Sequence, residues 1–331
     1  MPAPERTTPR HHAFLHLGLL AALLFAAVAL VADRPAAVVA QSATPVAGTD
    51  CAPPALTAAP VVPDSLSSST PAATPVAAVG VDDATGEAIV AAIDSLAACL
   101  TAGNAETVTA LVTDRYLADA YGGGERMTRE DYVALAPSAP VIPVSVVSVG
   151  QIGFSGEDTA TAQVITVQGN QLRTEDWTFL FRPSRQASAT PTVAGQGHWL
   201  VHQVALLPST APSGASAAEV VEQDNSIAIT PAGIEGPDVV FTVQNDDQET
   251  HEFLVLRLVD GATVDELIRP TGDGFPSNIA VIGQETIPAG ETRTLVFVDL
   301  EPGDYTVVCL LPDADGVPHL ALGETTTFSV E

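Results

Sequence analysis

From residue 226 to the C-terminus, glycine and proline turns cut the chain into short runs, none long enough for more than one strand. Within them polar and apolar residues trade places, as in His251-Glu252-Phe253-Leu254-Val255-Leu256, which reads as a half-buried strand. Strands are expected at 226–230, 238–245, 251–259, 292–298, 304–310 and 325–330. One helix is expected, at 263–269, and the Gly- and Pro-rich residues 270–278 read as an exposed loop. Strands with one apolar face must cover it against a second sheet, so the pattern predicts an all-β, two-sheet Greek-key sandwich.

Four residues of this region carry distinctive chemistry. His251 opens one expected strand, and Cys309 lies near the end of another that follows the Pro302-Gly303 turn. A loop, 310–318, leads to His319, and Gly323-Glu324 leads into the last strand. Imidazole and thiolate donors suit copper in both oxidation states, and a trigonal set with a weak axial ligand limits rearrangement on electron transfer. In this order the residues resemble the cupredoxin family, the blue-copper fold, over residues 219–331. The resemblance implies a copper ion held by His251, Cys309 and His319 with Glu324 as axial neighbour, and electron exchange with a redox partner protein. Nine residues separate Cys309 from His319, a spacing similar to that of the nitrite-reductase type of loop. Glu324 stands where the family carries an axial Met. A carboxylate is harder than a thioether and favours Cu(II), which lowers the reduction potential. Glu252 stands where many cupredoxins carry Asn or another small polar residue that braces the Cys-bearing loop. Other readings of the same residues stay open. Cys309 also fits a small buried hydrophobe, zinc can use the same ligands, and a scaffold of this fold can serve as a non-metal extracellular binding or interaction protein.

The region before it, 81–207, reads as α+β. Ile89, Ile93, Leu96 and Leu100 recur at helical spacing, Asn104 caps a second helix at 105–112, and Thr128 with Asp131 forms a capping box for a third. Strands are expected at 141–149, 159–168, 171–182 and 198–207, with Gly169-Asn170 as a tight hairpin turn. Helices followed by a curved meander that ends in His198-Trp199-Leu200-Val201 resemble the nuclear transport factor 2-like fold, a cone of sheet wrapped on helices. That resemblance implies a pocket at the mouth of the cone, for which Asp114, Tyr116, Tyr121 and Trp177 are candidates. No acid–base pair can be assembled there, so no catalytic residue is assigned. His198 and His202 lie about 13 Å apart on one strand and cannot share an ion.

The N-terminus sets the destination. Arg6 and Arg10 precede an apolar run, 13–32, and Val38-Val39-Ala40 supplies small residues before Gln41. This predicts a secretory signal over 1–40, or, if it stays uncleaved, a membrane anchor. Residues 41–80 are almost entirely Ala, Pro, Ser, Thr and Val and read as a disordered tether, and 208–218 reads as a second linker. A formal charge of −28, with no lysine, excludes nucleic acid as a partner, and any membrane contact falls to the N-terminal segment alone. The expected location is secreted, extracellular or cell-surface. With Cys309 assigned as a ligand, Cys51 and Cys99 remain for a disulfide in an oxidising compartment, the alternative being a buried helix thiol and a free one on the tether.

Overall fold

The computed structural model describes residues 50–60, 79–122, 126–184, 196–269 and 274–331. The expected signal lies outside the described residues, as does most of the expected tether. In chain order β1 (Thr57–Ala58) and β2 (Val79–Gly80) precede α1 (Asp83–Thr101), α2 (Ala105–Leu111), α3 (Asp114–Tyr121) and α4 (Arg129–Leu135). Strands β3 (Val144–Val149), β4 (Gly153–Phe154), β5 (Thr159–Gln168), β6 (Gln171–Pro183) and β7 (Gln196–Leu207) follow. The last part comprises β8 (Ser216–Gln223), β9 (Ser226–Thr230), β10 (Gly233–Ile234), β11 (Val239–Asn245) and β12 (His251–Leu258), then α5 (Asp265–Ile268), β13 (Ile279–Ile287) and β14 (Thr292–Phe297). It closes with β15 (Gly303–Val308), α6 (His319–Leu322) and β16 (Thr325–Val330).

The helix starts follow the capping chemistry of the sequence. Asn104 accepts from the Thr107 N–H at 3.1 Å, and Thr128 and Asp131 close a reciprocal capping box. Helix α3 was not expected. Thr113 caps it and its apolar face is only Tyr116 and Leu117, too brief to register as a period. Helix α1 has the length and hydropathy of a membrane span, yet Ile89, Ile93 and Leu96 are wholly buried among Phe154, Trp177, Phe179 and Trp199 of the sheet behind it.

The C-terminal region is a two-sheet β-sandwich. Strands β9, β8, β11 and β14 form one sheet, and β10, β16, β15, β12 and β13 the other. Phe241 sits at the centre of the core and meets the rings of Phe253, Phe297 and Phe328 at 5.2–5.5 Å. Each such side chain contributes roughly 1.5–3 kcal/mol by leaving water.

Several sequence expectations need correction. Strand β12 is buried on both faces over its first six residues rather than half-buried. Strand β13 was not expected at all, because eight of its nine residues are buried and no alternation survives. Strand β8 begins inside the expected linker 208–218, its Ala217-Ala218 start having the composition of a tether. The expected helix at 263–269 is a single turn, α5. Part of the expected tether is docked: Cys51 is bonded to Cys99 of α1, and β1 pairs with β7.

The two regions are joined by the tip of the β5–β6 hairpin. Gln171 and Leu172 pair with Phe297 and Val296 of β14, which makes one continuous sheet of strands from both regions. Asn170 donates to the carbonyls of Val298 and Asp299 at 2.9 and 3.0 Å, and its own N–H donates to Ile282 at 2.7 Å. Gly169 has φ +63°, and a Cβ there would lie 2.4 Å from the Ile282 carbonyl oxygen, so the tip reaches the sandwich only because this residue is glycine. Beneath the tip, Arg173 is buried between Glu175 of its own strand (3.0 Å) and Glu285 of β13 (3.3 Å).

Candidate metal centre

Strands β12 and β15 run antiparallel with Leu254 opposite Val308, which sets the start of β12, at His251, beside the residue that follows β15, Cys309. The loop 310–318 is closed on itself. Asp313 Oδ1 accepts from the N–H groups of Asp315 (2.9 Å) and Val317 (2.8 Å), and Pro312 bridges Pro318. The His319 N–H donates to Leu311 and the Leu320 N–H to Cys309, which returns His319 to the cysteine ten positions before it. His319 opens one helical turn rather than lying in open loop. Gly323, at φ +109°, ends that turn and points the chain back, so that the Glu324 side chain enters the interior.

His251, Cys309, His319 and Glu324 therefore meet, all buried, with one donor atom from each lying within 4.8 Å of the others. The two Nδ1 atoms are 3.2 Å apart, and Cys309 Sγ is 3.4 Å from His319 Nδ1. The Glu324 oxygens stand 2.7 Å from His251 Nδ1 and 3.0 Å from His319 Nδ1, yet neither oxygen has a hydrogen-bond partner. The far nitrogens face acids. His251 Nε2 is 3.3 Å from Asp247, and His319 Nε2 is 3.2 Å from the half-exposed Glu249. The Gln248 N–H and His251 hold Asp247 below the usual carboxylate range, so it only accepts, and Nε2 is the nitrogen that carries hydrogen. His319 Nε2 faces the Glu249 carboxylate in the same way, and a carboxylate oxygen accepts, so this nitrogen too carries hydrogen. Both Nδ1 lone pairs, the sulfur and a carboxylate thus point at one another. Lone pairs converge in this way around a shared cation. Ligands roughly 2.0–2.3 Å from a common first-row metal lie about 3.2–3.7 Å apart. The Nδ1–Nδ1 separation of 3.2 Å and the Sγ–Nδ1 separation of 3.4 Å fall in that range, whereas the Glu324 oxygens, at 2.7 and 3.0 Å, stand closer.

The surroundings favour positive charge at this point. Burial alone would lower the His251 pKa, but Glu324 outweighs it and holds the imidazole above its ordinary value. Burial pushes the Cys309 thiol far up, and Glu324 and Glu252 push the same way, so a thiolate here requires a cation. Burial also raises Glu252 to about 8, with the Leu310 N–H opposing and Glu324 adding. Glu222 rises to about 8 through burial and then Glu324, and its two oxygens are buried without partners.

Glu252 braces the cysteine despite replacing the expected small polar residue. Its N–H donates to Sγ at 3.3 Å, and its carboxylate accepts from the Leu310 N–H at 3.4 Å. Sequence reasoning missed Asp247, Glu249, Asn245 and Glu222. Asn245 donates to the carbonyls of Glu249 and Ile287 and accepts from the Asp247 N–H, which shapes the turn that carries both imidazole partners. The available signal was the acidic run 246–249 just before His251. In the first region Tyr116, Tyr121 and Trp177 do line one cavity, whereas Asp114 does not; its carboxylate is largely exposed and faces Arg129. His202 contacts Thr113, and His198 contacts the Ala55 carbonyl, so the two are apart as expected.

No family model matches the chain, and no curated protein matches it. Among solved structures it is similar to the Na-dithionite-reduced auracyanin of the photosynthetic bacterium Roseiflexus castenholzii, at 20% identity over 36% of this chain and 99% of that one, with a TM-score of 0.25. Auracyanin B aligns at 17% identity over 38% and 96% of the two chains, with a TM-score of 0.27. A multicopper oxidase from Campylobacter jejuni aligns at 11% identity over 56% and 48%, with a TM-score of 0.23.

Proposed function

We propose that this chain is an exported, cupredoxin-like copper protein, released or held at the cell surface, that exchanges electrons with a redox partner protein. The observation that carries the reading is the convergence of Cys309 Sγ, two Nδ1 atoms and the unpartnered Glu324 carboxylate, with the Nε2–H groups turned outward. Copper held by His251, Cys309, His319 and Glu324 would supply one-electron chemistry. The chain's own contribution is to fix the ligands: Asp247 and Glu249 set the imidazole tautomers, and the Glu252 N–H steadies the sulfur. The first region, read as a nuclear transport factor 2-like cone, acts as a scaffold with no catalytic role.

The test is Cu(II) titration of the full chain. Stoichiometric uptake with a thiolate charge-transfer band, lost in Cys309→Ser, supports the proposal. Glu324→Met then raises the reduction potential, because a weak thioether no longer prefers Cu(II). No uptake by wild type or Glu324→Met leaves a scaffold without metal. One observation favours zinc as a second reading: Glu324 lies as near to both imidazoles as they lie to each other, unlike a weak and distant axial ligand. Tight zinc uptake together with a copper form that cannot be cycled between its oxidation states would select it.

A further inference from the structure

A cavity of about 220 Å³ lies in the first region, between the ends of α1, α3 and α4 and the sheet. It lies beside the segment 136–142, where Val141 is 56% exposed. We propose that this cavity is a binding site for an uncharged, largely apolar compound of one or two rings that carries a hydrogen-bonding group.

Leu100, Val108, Leu135, Ile142 and Val204 line it, so most of a ligand's surface would meet aliphatic carbon. Three phenols, of Tyr116, Tyr121 and Tyr132, converge on one side, with the Tyr121 and Tyr132 rings 4.6 Å apart. Burial raises all three hydroxyls, which therefore keep their protons and can donate. The size follows from comparison: an apolar cavity of roughly 150 Å³ holds benzene, so this one holds slightly more.

The floor decides the ligand's charge. Arg173 and Glu175 both line the cavity, but they are matched to each other at 3.0 Å, and a second carboxylate, Glu285, also faces Arg173. The formal excess is negative, which disfavours an anion. A cation fares no better, because Glu175 already accepts from Arg173, Gln168, Trp177 and Thr166. Either ion would be buried without a counter-charge, at a cost of several kcal/mol. Gln284 of β13 completes the floor, so a ligand touches both regions of the chain.

The site does not depend on the copper reading and is tested apart from it. Calorimetric titration of the metal-free full chain with 2-naphthol should give one-to-one saturation. 2-Naphthoate and 2-naphthylmethylammonium should bind at least tenfold more weakly. Bound 2-naphthol should shift the indole N–H resonance of Trp177, which lines the cavity, and leave that of Trp199 in place. Val204→Phe, which fills the space, should abolish the binding. No saturable heat at millimolar 2-naphthol overturns the proposal. So does binding of either ion within threefold of the neutral compound, or a shift at Trp199 without one at Trp177; these two readings stand without the variant.

Discussion

Replacing Arg173 by Met tests whether the two regions form one cooperative body. The guanidinium is 8% exposed and lies between Glu175 and Glu285, which are 2% and 4% exposed. Its removal strands two buried carboxylates unequally. Glu175 keeps Trp177 at 2.9 Å, Gln168 and Thr166, whereas Glu285 loses its contact with Nη1 at 3.3 Å. Breaking a buried pair from one side costs about 3–5 kcal/mol, whereas replacing both partners by apolar groups is often neutral. Arg173→Met should therefore lose about 3–5 kcal/mol at pH 7, and Arg173→Met/Glu285→Met should recover at least half of the loss, a coupling well above additivity. For a unit of this size that is a fall in Tm of about 6–20 °C. The pH dependence has a definite sign. Burial holds Glu285 above its ordinary value even with Arg173 and Arg293 beside it. The folded state thus binds this proton more tightly than the unfolded chain, and stability falls as pH rises from the unfolded pKa through the folded one. Without Arg173 the folded pKa climbs further, so the variant's deficit should be larger at pH 7 than at pH 5. Urea melts of the metal-free protein at both values measure this. A deficit under 1 kcal/mol at pH 7, or a double variant whose loss equals the sum of the singles, would refute the reasoning.

Cys51→Ala opens a loop of 48 residues and should cost about 4 kcal/mol, and free alkylation of both cysteines in the oxidised wild type would remove the disulfide. Gly169→Ala should destabilise through both its left-handed backbone and its approach to the Ile282 carbonyl; an unchanged melt would show that the tip does not dock. Cleavage within 208–215 should leave two fragments that elute together, because the β6–β14 pairing and the Asn170 bonds survive the cut. Separate elution would mean the regions are independent. Asp247→Ala and Glu249→Ala should each weaken copper binding about 10–100-fold by freeing an imidazole tautomer, as read by competition with a chelator.

The four clustered residues were legible because each is tied to a strand end whose order the sequence shows. The shape of the helical starts was legible from Asn104 and Thr128-Asp131, where a side chain bonds a backbone three residues away. What escaped has a common cause. Strand β13 is covered on both faces, so its partners, not its own pattern, define it. Asp247 and Glu249 look like solvated acids in a chain of charge −28, and only the fold turns them toward imidazoles. Arg173 and Glu285 are 112 residues apart, and nothing local marks them as a pair.

That hidden strand links the first region to the cluster of His251, Cys309, His319 and Glu324. Strand β13 lies beside β12, with His251 opposite Ile287 and Phe253 opposite Glu285. The strand that carries His251 is therefore flanked by one that the first region holds, through Arg173 at Glu285 and through Gln171, whose side chain accepts from the Gln284 N–H at 3.0 Å. Asn245 ties the same end of β13 to the turn that bears Asp247 and Glu249, by donating to the Ile287 carbonyl at 2.9 Å. Ligand spacing at a redox metal is useful only if it resists rearrangement, and packed side chains transmit such resistance better than loops do. The position of His251 thus rests on β15 and β13 to either side of β12, and β13 is in turn held by contacts from the first region that the sandwich alone does not supply.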